Sequence, residues 1–265
     1  MPEGDTLHRT ATGLAPHLVG RPVSAARVRA GGPQVQRVVG ATITAVEAVG
    51  KNLLIRFDNG LEIRTHLRMN GSWHRYRPGE RWRRSPSRAR LVIEVPGAVA
   101  VCFDAPVVEL FETRAEAIHP TLARLGPDLL DPTWTTAAAD EAVRRLRDPA
   151  RAGMTISAAL LDQRALAGIG NIWRNETLWH ERVDPWATVT DLQAATLRRL
   201  VLRARALLLA SVGQAPGRAR IAVYRHSGRP CPRCGTIVGS APLETAIPRT
   251  TYWCPTCQAA RPADR

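Results

Sequence analysis

The sequence predicts a multidomain protein of mixed α and β structure: an N-terminal β-sandwich or barrel with a flanking helix, a C-terminal helical domain, and a small terminal β-hairpin finger. Three observations carry that prediction. Between Val23 and about Phe111 the chain is a run of short Val/Ile/Leu-rich stretches broken by Gly and Pro. From Pro132 to about Ala210 it becomes Ala/Leu/Arg-rich with helical spacing, the change falling at Leu125-Gly126-Pro127-Asp128. Near the end, the pairs Cys231/Cys234 and Cys254/Cys257 flank 19 intervening residues.

The first element is a helix in which Leu7, Ala11, Leu14 and Leu18 repeat at apolar spacing, with Asp5 or Thr6 available as N-cap. It follows Met1-Pro2-Glu3-Gly4 directly. Removal of Met1, favoured by the small second residue, leaves Pro2 as a free secondary amine with a pKa near the α-amino reference of roughly 8. Such an amine attacks electrophilic carbon, and the positive helix end favours both its neutral form and an ionised Glu3.

The strands come next: Val23 to Val28, Val38 to Val49 and Leu53 to Phe57, then a hairpin through Asp58-Asn59-Gly60 into Leu61 to Leu67. Lys51 sits at the mouth of that hairpin, directly after Gly50. Of the 37 basic residues it is the one lysine, the other 36 being arginines, so this position retains an ammonium that can exchange a proton where a guanidinium cannot. The second strand runs into His66-Leu67-Arg68-Met69-Asn70-Gly71, a polar tip with one methionine suited to wedging into a base stack, or else an ordinary turn around a core Met. The loop from Arg75 to Arg90 reads as a solvated basic surface. Leu91 to Val95 and Ala98 to Phe103 form another hairpin, Val107 to Phe111 adds a strand, and Cys102 reads as a core thiol.

In the helical part a helix should end near Gln163; Gly168 and Gly170 then permit a tight turn, and Asn171 caps the next helix. That is either a phosphate-binding corner or a plain packing corner. The two cysteine pairs fit four-thiolate tetrahedral zinc, with Thr236 to Val238 and Thr250 to Trp253 as the finger strands and Arg249 near its far end.

Charge narrows the partner. With 37 Lys plus Arg against 23 Asp plus Glu the net charge is +14, which points to a polyanion, nucleic acid before membrane. No apolar run approaches about 18 residues, and the acidic start does not read as a signal peptide, so a cytoplasmic protein is expected.

Together these residues resemble the formamidopyrimidine-DNA glycosylase and endonuclease VIII family of base-excision repair enzymes. The resemblance spans nearly the whole chain: the N-terminal Pro2-Glu3-Gly4, the hairpin Lys51, the segment from Leu160 to Asn171 (LLDQ-x-x-x-AGIGN, a helix-two-turn-helix) and the terminal cysteine finger. It implies three domains: a catalytic β-sandwich over 1–120, a helical DNA-binding domain over 121–218 and a zinc finger over 219–265. It further implies Pro2 as nucleophile, Glu3 as proton donor and acceptor, Lys51 as second proton donor, and Arg249 as a phosphate grip with a part in δ-elimination. His66, Arg68, Gly170 and Asn171 become DNA contacts, Met69 the void filler, and Cys231, Cys234, Cys254 and Cys257 the ligands of one structural zinc. The implied partner is damaged double-stranded DNA, bound by a monomer near the bacterial nucleoid.

Thr6 stands where relatives usually carry glutamate, a lost carboxylate that bears on the support of the active site. Two features choose the branch: Asp104 to Glu109 lacks an Arg-Phe wedge, and Val212 to Ala222 is short for a purine-capping loop. The endonuclease VIII branch and oxidised pyrimidines are therefore expected, with an 8-oxoguanine enzyme or a catalytically silent DNA-binding homologue as alternatives.

Overall fold

A computed structural model describes residues 2–215, 217–243 and 248–259, so Met1, and Pro216 within the short 212–222 stretch, lie outside the described residues. The chain divides into two compact units, Met1–Arg124 and Leu125–Arg265.

Unit one is an antiparallel sandwich. Helix α1 (Gly4–Leu18) is followed by β1 (Ala25–Val28), β2 (Ile43–Val49), β3 (Asn52–Phe57), β4 (Leu61–His66), β5 (Ser72–Tyr76), β6 (Ala89–Val95), β7 (Ala98–Phe103) and β8 (Val107–Glu112). One sheet has the order β2-β3-β4-β8, the other β1-β6-β7-β5. Alternate residues explain the core: Leu53, Ile55 and Ile63 from the first sheet meet Leu91, Ile93, Ala100 and Cys102 from the second, with Leu7, Leu14 and Leu18 of α1 in the same cluster. Cys102 is fully buried as expected, and burial pushes its thiol pKa up.

Several local expectations shift. The α1 N-cap is Glu3, ahead of Asp5 and Thr6, because the Glu3 carbonyl already accepts from the Thr6 and Leu7 amides at 3.0 and 3.2 Å. Asp5 instead takes the Thr6 amide at 2.8 Å and Arg9 at 3.0 Å. Val35–Val38 is a short 3-10 turn, so the strand expected from Val38 begins at Ile43. The β3–β4 connection is a three-residue loop with positive φ at Gly60 rather than a two-residue Asn-Gly turn. The expected Arg75–Arg90 loop loses its first two residues to β5, a strand that sequence reading missed.

The turn end of the β3–β4 hairpin holds an ion cluster. Arg56 reaches Glu47 at 2.9 Å, the fully buried Glu62 at 2.5 Å and Glu116 at 2.7 Å. Burial raises the Glu62 pKa from 4.5 to about 7, with Arg56 pulling it back down. A carboxyl raised in the folded state contributes stability that is full below 4.5 and lost as pH climbs through about 7. Glu62→Gln, which keeps an oxygen beside Arg56 and removes the titration, is expected to flatten the decline of thermal stability across that window. A variant melting profile with the parental pH slope would place the titration elsewhere.

Unit two packs α2 (Thr136–Leu146), α3 (Ile156–Ala159), α4 (Asn171–Glu181) and α5 (Ala194–Val212) around Leu146, Leu160, Leu166, Ile169, Leu178, Leu197, Val201 and Leu208. α3 ends at Ala159, earlier than the position near Gln163 expected from sequence; turns carry the chain on to α4. The finger strands are β9 (Gly239–Leu243) and β10 (Arg249–Trp253), so Thr236–Val238 lies before the first strand instead of forming it. Trp179 of α4, Val223, Val238 and two of the cysteines share one buried cluster, which seats the finger on the helical part. None of the described helices is long and apolar enough to cross a membrane.

Candidate active site and nucleic-acid interface

In unit one, α1 holds the chain start against β2 and β3. Pro2 is half-buried, and Glu3 is only 1% exposed at the positive end of the helix. Lys51 occupies the turn between β2 and β3, where Gly50 supplies a φ of +58°. Asn52 braces that turn: its amide donates to the Val49 carbonyl at 3.0 Å, and its oxygen accepts from Arg64 Nε at 2.9 Å. Arg64 is itself held by Glu109 at 2.5 Å on β8.

Asn52 lies opposite His66 in the ladder, so Lys51 and His66 share one end of the hairpin. Burial and then the charges of Arg64, Arg68 and Lys51 push the His66 pKa down to about 4. Its Nδ1 accepts the Arg68 backbone amide at 3.1 Å, which leaves a neutral imidazole with Nε2–H as donor. The turn beyond it is tight: Arg68 takes a left-handed φ of 50°, and a Cβ on Gly71 would meet the Leu67 carbonyl oxygen at 2.6 Å. Met69 at the apex is 53% exposed, so it is not a core methionine.

In unit two the turn after α3 is pinned by Gln163. Its amide donates to the carbonyls of Leu161 and Ile169, both at 3.0 Å, and its oxygen accepts the Gly168 amide at 3.1 Å, where φ is +96°. Gly170, not Asn171, is the N-cap of α4; Asn171 is the first helical residue, because its side chain is engaged elsewhere. Its Nδ2 donates to the Thr250 carbonyl at 3.2 Å, and its Oδ1 accepts from Arg174 at 2.5 Å. Asn171 and Arg249, the first residue of β10, are thereby brought together. Arg249 lines a cleft of about 990 Å³ between the helical part and the finger, with Arg151, Arg164 and Trp186 among its walls.

Sequence reasoning missed the polar spine of α4. Arg174 is fully buried, donating to Ser157 at 2.5 Å, Thr251 Oγ1 at 3.1 Å and the Thr250 carbonyl at 3.1 Å. Asn175 accepts the Tyr252 amide at 2.8 Å. Glu176 accepts the amides of Ala222, Val223 and Tyr224 at 2.8, 3.0 and 2.9 Å, the connection to the finger. Burial raises the Glu176 pKa while these three donors lower it. The available signal was the run Arg174-Asn175-Glu176-Thr177, too polar for a helix closed in by Trp173, Leu178 and Trp179.

The four cysteines of the finger bring their sulfurs within 4.8 Å of one another, and none forms a disulfide. The Sγ–Sγ separations of 3.4 Å (Cys234–Cys254 and Cys234–Cys257) and 4.0 Å (Cys231–Cys257) bracket the ~3.8 Å edge of a tetrahedron with metal–sulfur bonds of ~2.3 Å. Trp179 Nε1 donates to Cys231 at 3.4 Å and the Cys257 amide to Cys254 at 3.4 Å, donors that suit thiolates. The cluster therefore fits a metal ion.

Comparison with known proteins decides the family. The formamidopyrimidine-DNA glycosylase N-terminal domain matches residues 1–106, and the H2TH domain of the same glycosylase matches residues 125–221. The chain belongs to the formamidopyrimidine-DNA glycosylase family. Within it, the chain is 38% identical to "Probable endonuclease 8 2" of Streptomyces coelicolor, over 100% of this chain and 96% of that one. It is 34% identical to the "DNA-(apurinic or apyrimidinic site) lyase Nei2" of Mycolicibacterium smegmatis, over 98% and 100%. The fold matches Lactococcus lactis formamidopyrimidine-DNA glycosylase bound to DNA with an abasic site, at a TM-score of 0.82 and 21% identity over 97% of this chain and 100% of that one. The two matched domains are the sandwich and the helix-two-turn-helix part described above.

Proposed function

We propose that this member of the family is a bifunctional DNA glycosylase and abasic-site lyase of base excision repair that removes oxidised pyrimidines from duplex DNA. The observation that carries it is the whole-length match to proteins named endonuclease 8, in a chain where removal of Met1 leaves Pro2-Glu3 as the start, ahead of a helix. Pro2 nitrogen attacks C1′ of a flipped-out nucleoside; the N–C1′ bond forms as the glycosidic bond breaks, and the base leaves with its electron pair and a proton. Glu3, kept at the helix N-terminus, handles that proton. The C1′–O4′ bond then opens, O4′ taking a proton, which leaves an iminium that acidifies C2′; loss of a C2′ proton expels the 3′ phosphate, loss of a C4′ proton then expels the 5′ phosphate, and Lys51 protonates a leaving group.

Neutral His66, through Nε2–H, and Arg68 hold phosphates in unit one, while Met69 fills the gap left in the stack. In unit two the Gly170 turn and the start of α4 present the backbone for a phosphate. The Asn171 side chain instead fastens β10, whose Arg249 grips phosphates and assists δ-elimination. One zinc ion, held by Cys231, Cys234, Cys254 and Cys257, is structural. A single chain supplies every group, so the enzyme works as a monomer, on the nucleoid in the cytoplasm.

Support for pyrimidines comes from the two endonuclease 8-type relatives and from the tight β7–β8 connection Asp104-Ala105-Pro106, which has no bulky wedge. Single-turnover nicking of duplexes carrying thymine glycol or 5-hydroxycytosine should outpace nicking of an 8-oxoguanine duplex at least about tenfold, ~1.4 kcal/mol of transition-state preference. The reverse order would move the chain to the purine branch, and no cleavage of any of them would make it a binding protein.

A further inference from the structure

The basic loop after β5 is not a loosely solvated strand connector. β6 and β7 alternate: Leu91, Ile93, Ala100 and Cys102 face the sandwich core, while Val92, Val99, Val101 and Phe103 form a second buried cluster with Tyr76 on the opposite face. Trp82, midway along the loop, seats on that cluster, stacked on Tyr76 at 6.0 Å and edge-on to Phe103 at 5.8 Å. The Tyr76 hydroxyl then accepts the Arg83 backbone amide at 3.1 Å, and Glu80 accepts the Arg77 amide at 2.8 Å, closing the turn.

What this seat presents outward is charge. Arg77, Arg81 and Arg83 are exposed, and no described carboxylate forms an ion pair with any of them. Their neighbours Arg84 and Arg88 are instead ion-paired to the single carboxylate of Asp104, at 2.6 and 2.7 Å. Arg84 also reaches the Asn70 carbonyl at 3.4 Å, which joins the loop to the Met69 tip. Carrying three like charges on one short loop costs repulsion, which a row of phosphates reverses.

We propose that Arg77, Arg81 and Arg83, seated by Trp82, grip the phosphate backbone of duplex DNA beyond the lesion, extending the footprint outward from the Met69 tip. The inference rests on reading the chain as an enzyme of damaged duplexes. Each arginine on a phosphate releases counterions, so affinity carries a salt slope of about 0.9 per contact.

The test is binding of the full-length protein to a 30-base-pair duplex with an uncleavable abasic analogue, between 50 and 200 mM salt. The triple variant R77Q/R81Q/R83Q is expected to lower the slope of log affinity against log salt by about two to three, while saturating borohydride trapping on abasic DNA stays at the parental yield. Trp82→Leu, which keeps every arginine but unseats the loop, should lose a substantial part of the same slope. A triple-variant slope within about half of one contact of the parent overturns the grip, as does a loss confined to vesicles of anionic lipid. A Trp82→Leu slope equal to the parent overturns the seat. A parent that gives no trapped adduct sinks the enzymatic reading instead, so the two failures are distinct.

Discussion

Blocking the Pro2 nitrogen is expected to abolish covalent trapping and to slow strand cleavage by at least about three orders of magnitude, while binding to an abasic-analogue duplex changes little. The block can be made without touching a side chain, by an N-terminal extension that resists processing and keeps that nitrogen an amide. An amide lone pair is delocalised into its carbonyl and does not attack C1′. A Pro2→Gly protein with a processed start should fall between the two. It retains an amine of similar basicity, roughly pKa 8, but its primary imine must be protonated before it withdraws electrons as strongly as the proline iminium, and glycine loses the fixed φ that aims the nitrogen. Glu3, α1 and the Lys51 turn remain intact in both proteins, since the packing of Leu7, Leu14 and Leu18 holds them. Trapped adduct at the parental level from the extended protein would remove Pro2 from the mechanism and direct attention to the amine of Lys51.

How much of this was legible beforehand follows from the range of the contacts. The α1 stripe, the β3–β4 hairpin, the lysine at its mouth and the cysteine pairs are readable because spacing within a few residues defines them. The α4 spine was not. Arg174, Asn175 and Glu176 are buried by partners at Thr250, Tyr252 and Ala222, tens of residues away, and a helical period assigns such residues to solvent. The Trp82 seat escaped for the same reason, since its cluster is assembled from β5, β6 and β7. Asn171 falls between the two cases. Its position beside the glycine turn was evident, but its amide bonds to Thr250 and Arg174 could only come from the folded chain.

That long-range spine makes metal removal the second large effect. Stripping the ion with a chelator under reducing conditions, or Cys254→Ser, is expected to cost nicking at least a hundredfold and to lower the melting of the helical unit as well as the finger. Structural zinc supplies on the order of 10 kcal/mol to a small finger, far more than β9 and β10 can replace by themselves. When they come apart, fully buried Arg174 loses Thr250 and Thr251, and Asn175 loses Tyr252. Hydrogen bonds to a charged group contribute about 1.5–3 kcal/mol each, so the loss reaches into α4 by ~3 kcal/mol or more. For a unit of this size that corresponds to a fall in Tm of roughly 6–12 °C. The sandwich unit keeps its own core, so its melting should stay put and the Pro2 amine should remain reactive toward small aldehydes. Metal analysis should return one zinc per chain, and zinc added back to the chelated protein should restore both Tm and nicking. A metal-free protein that melts and nicks like the parent would mean that Trp179, Val223 and Val238 hold the finger without the ion.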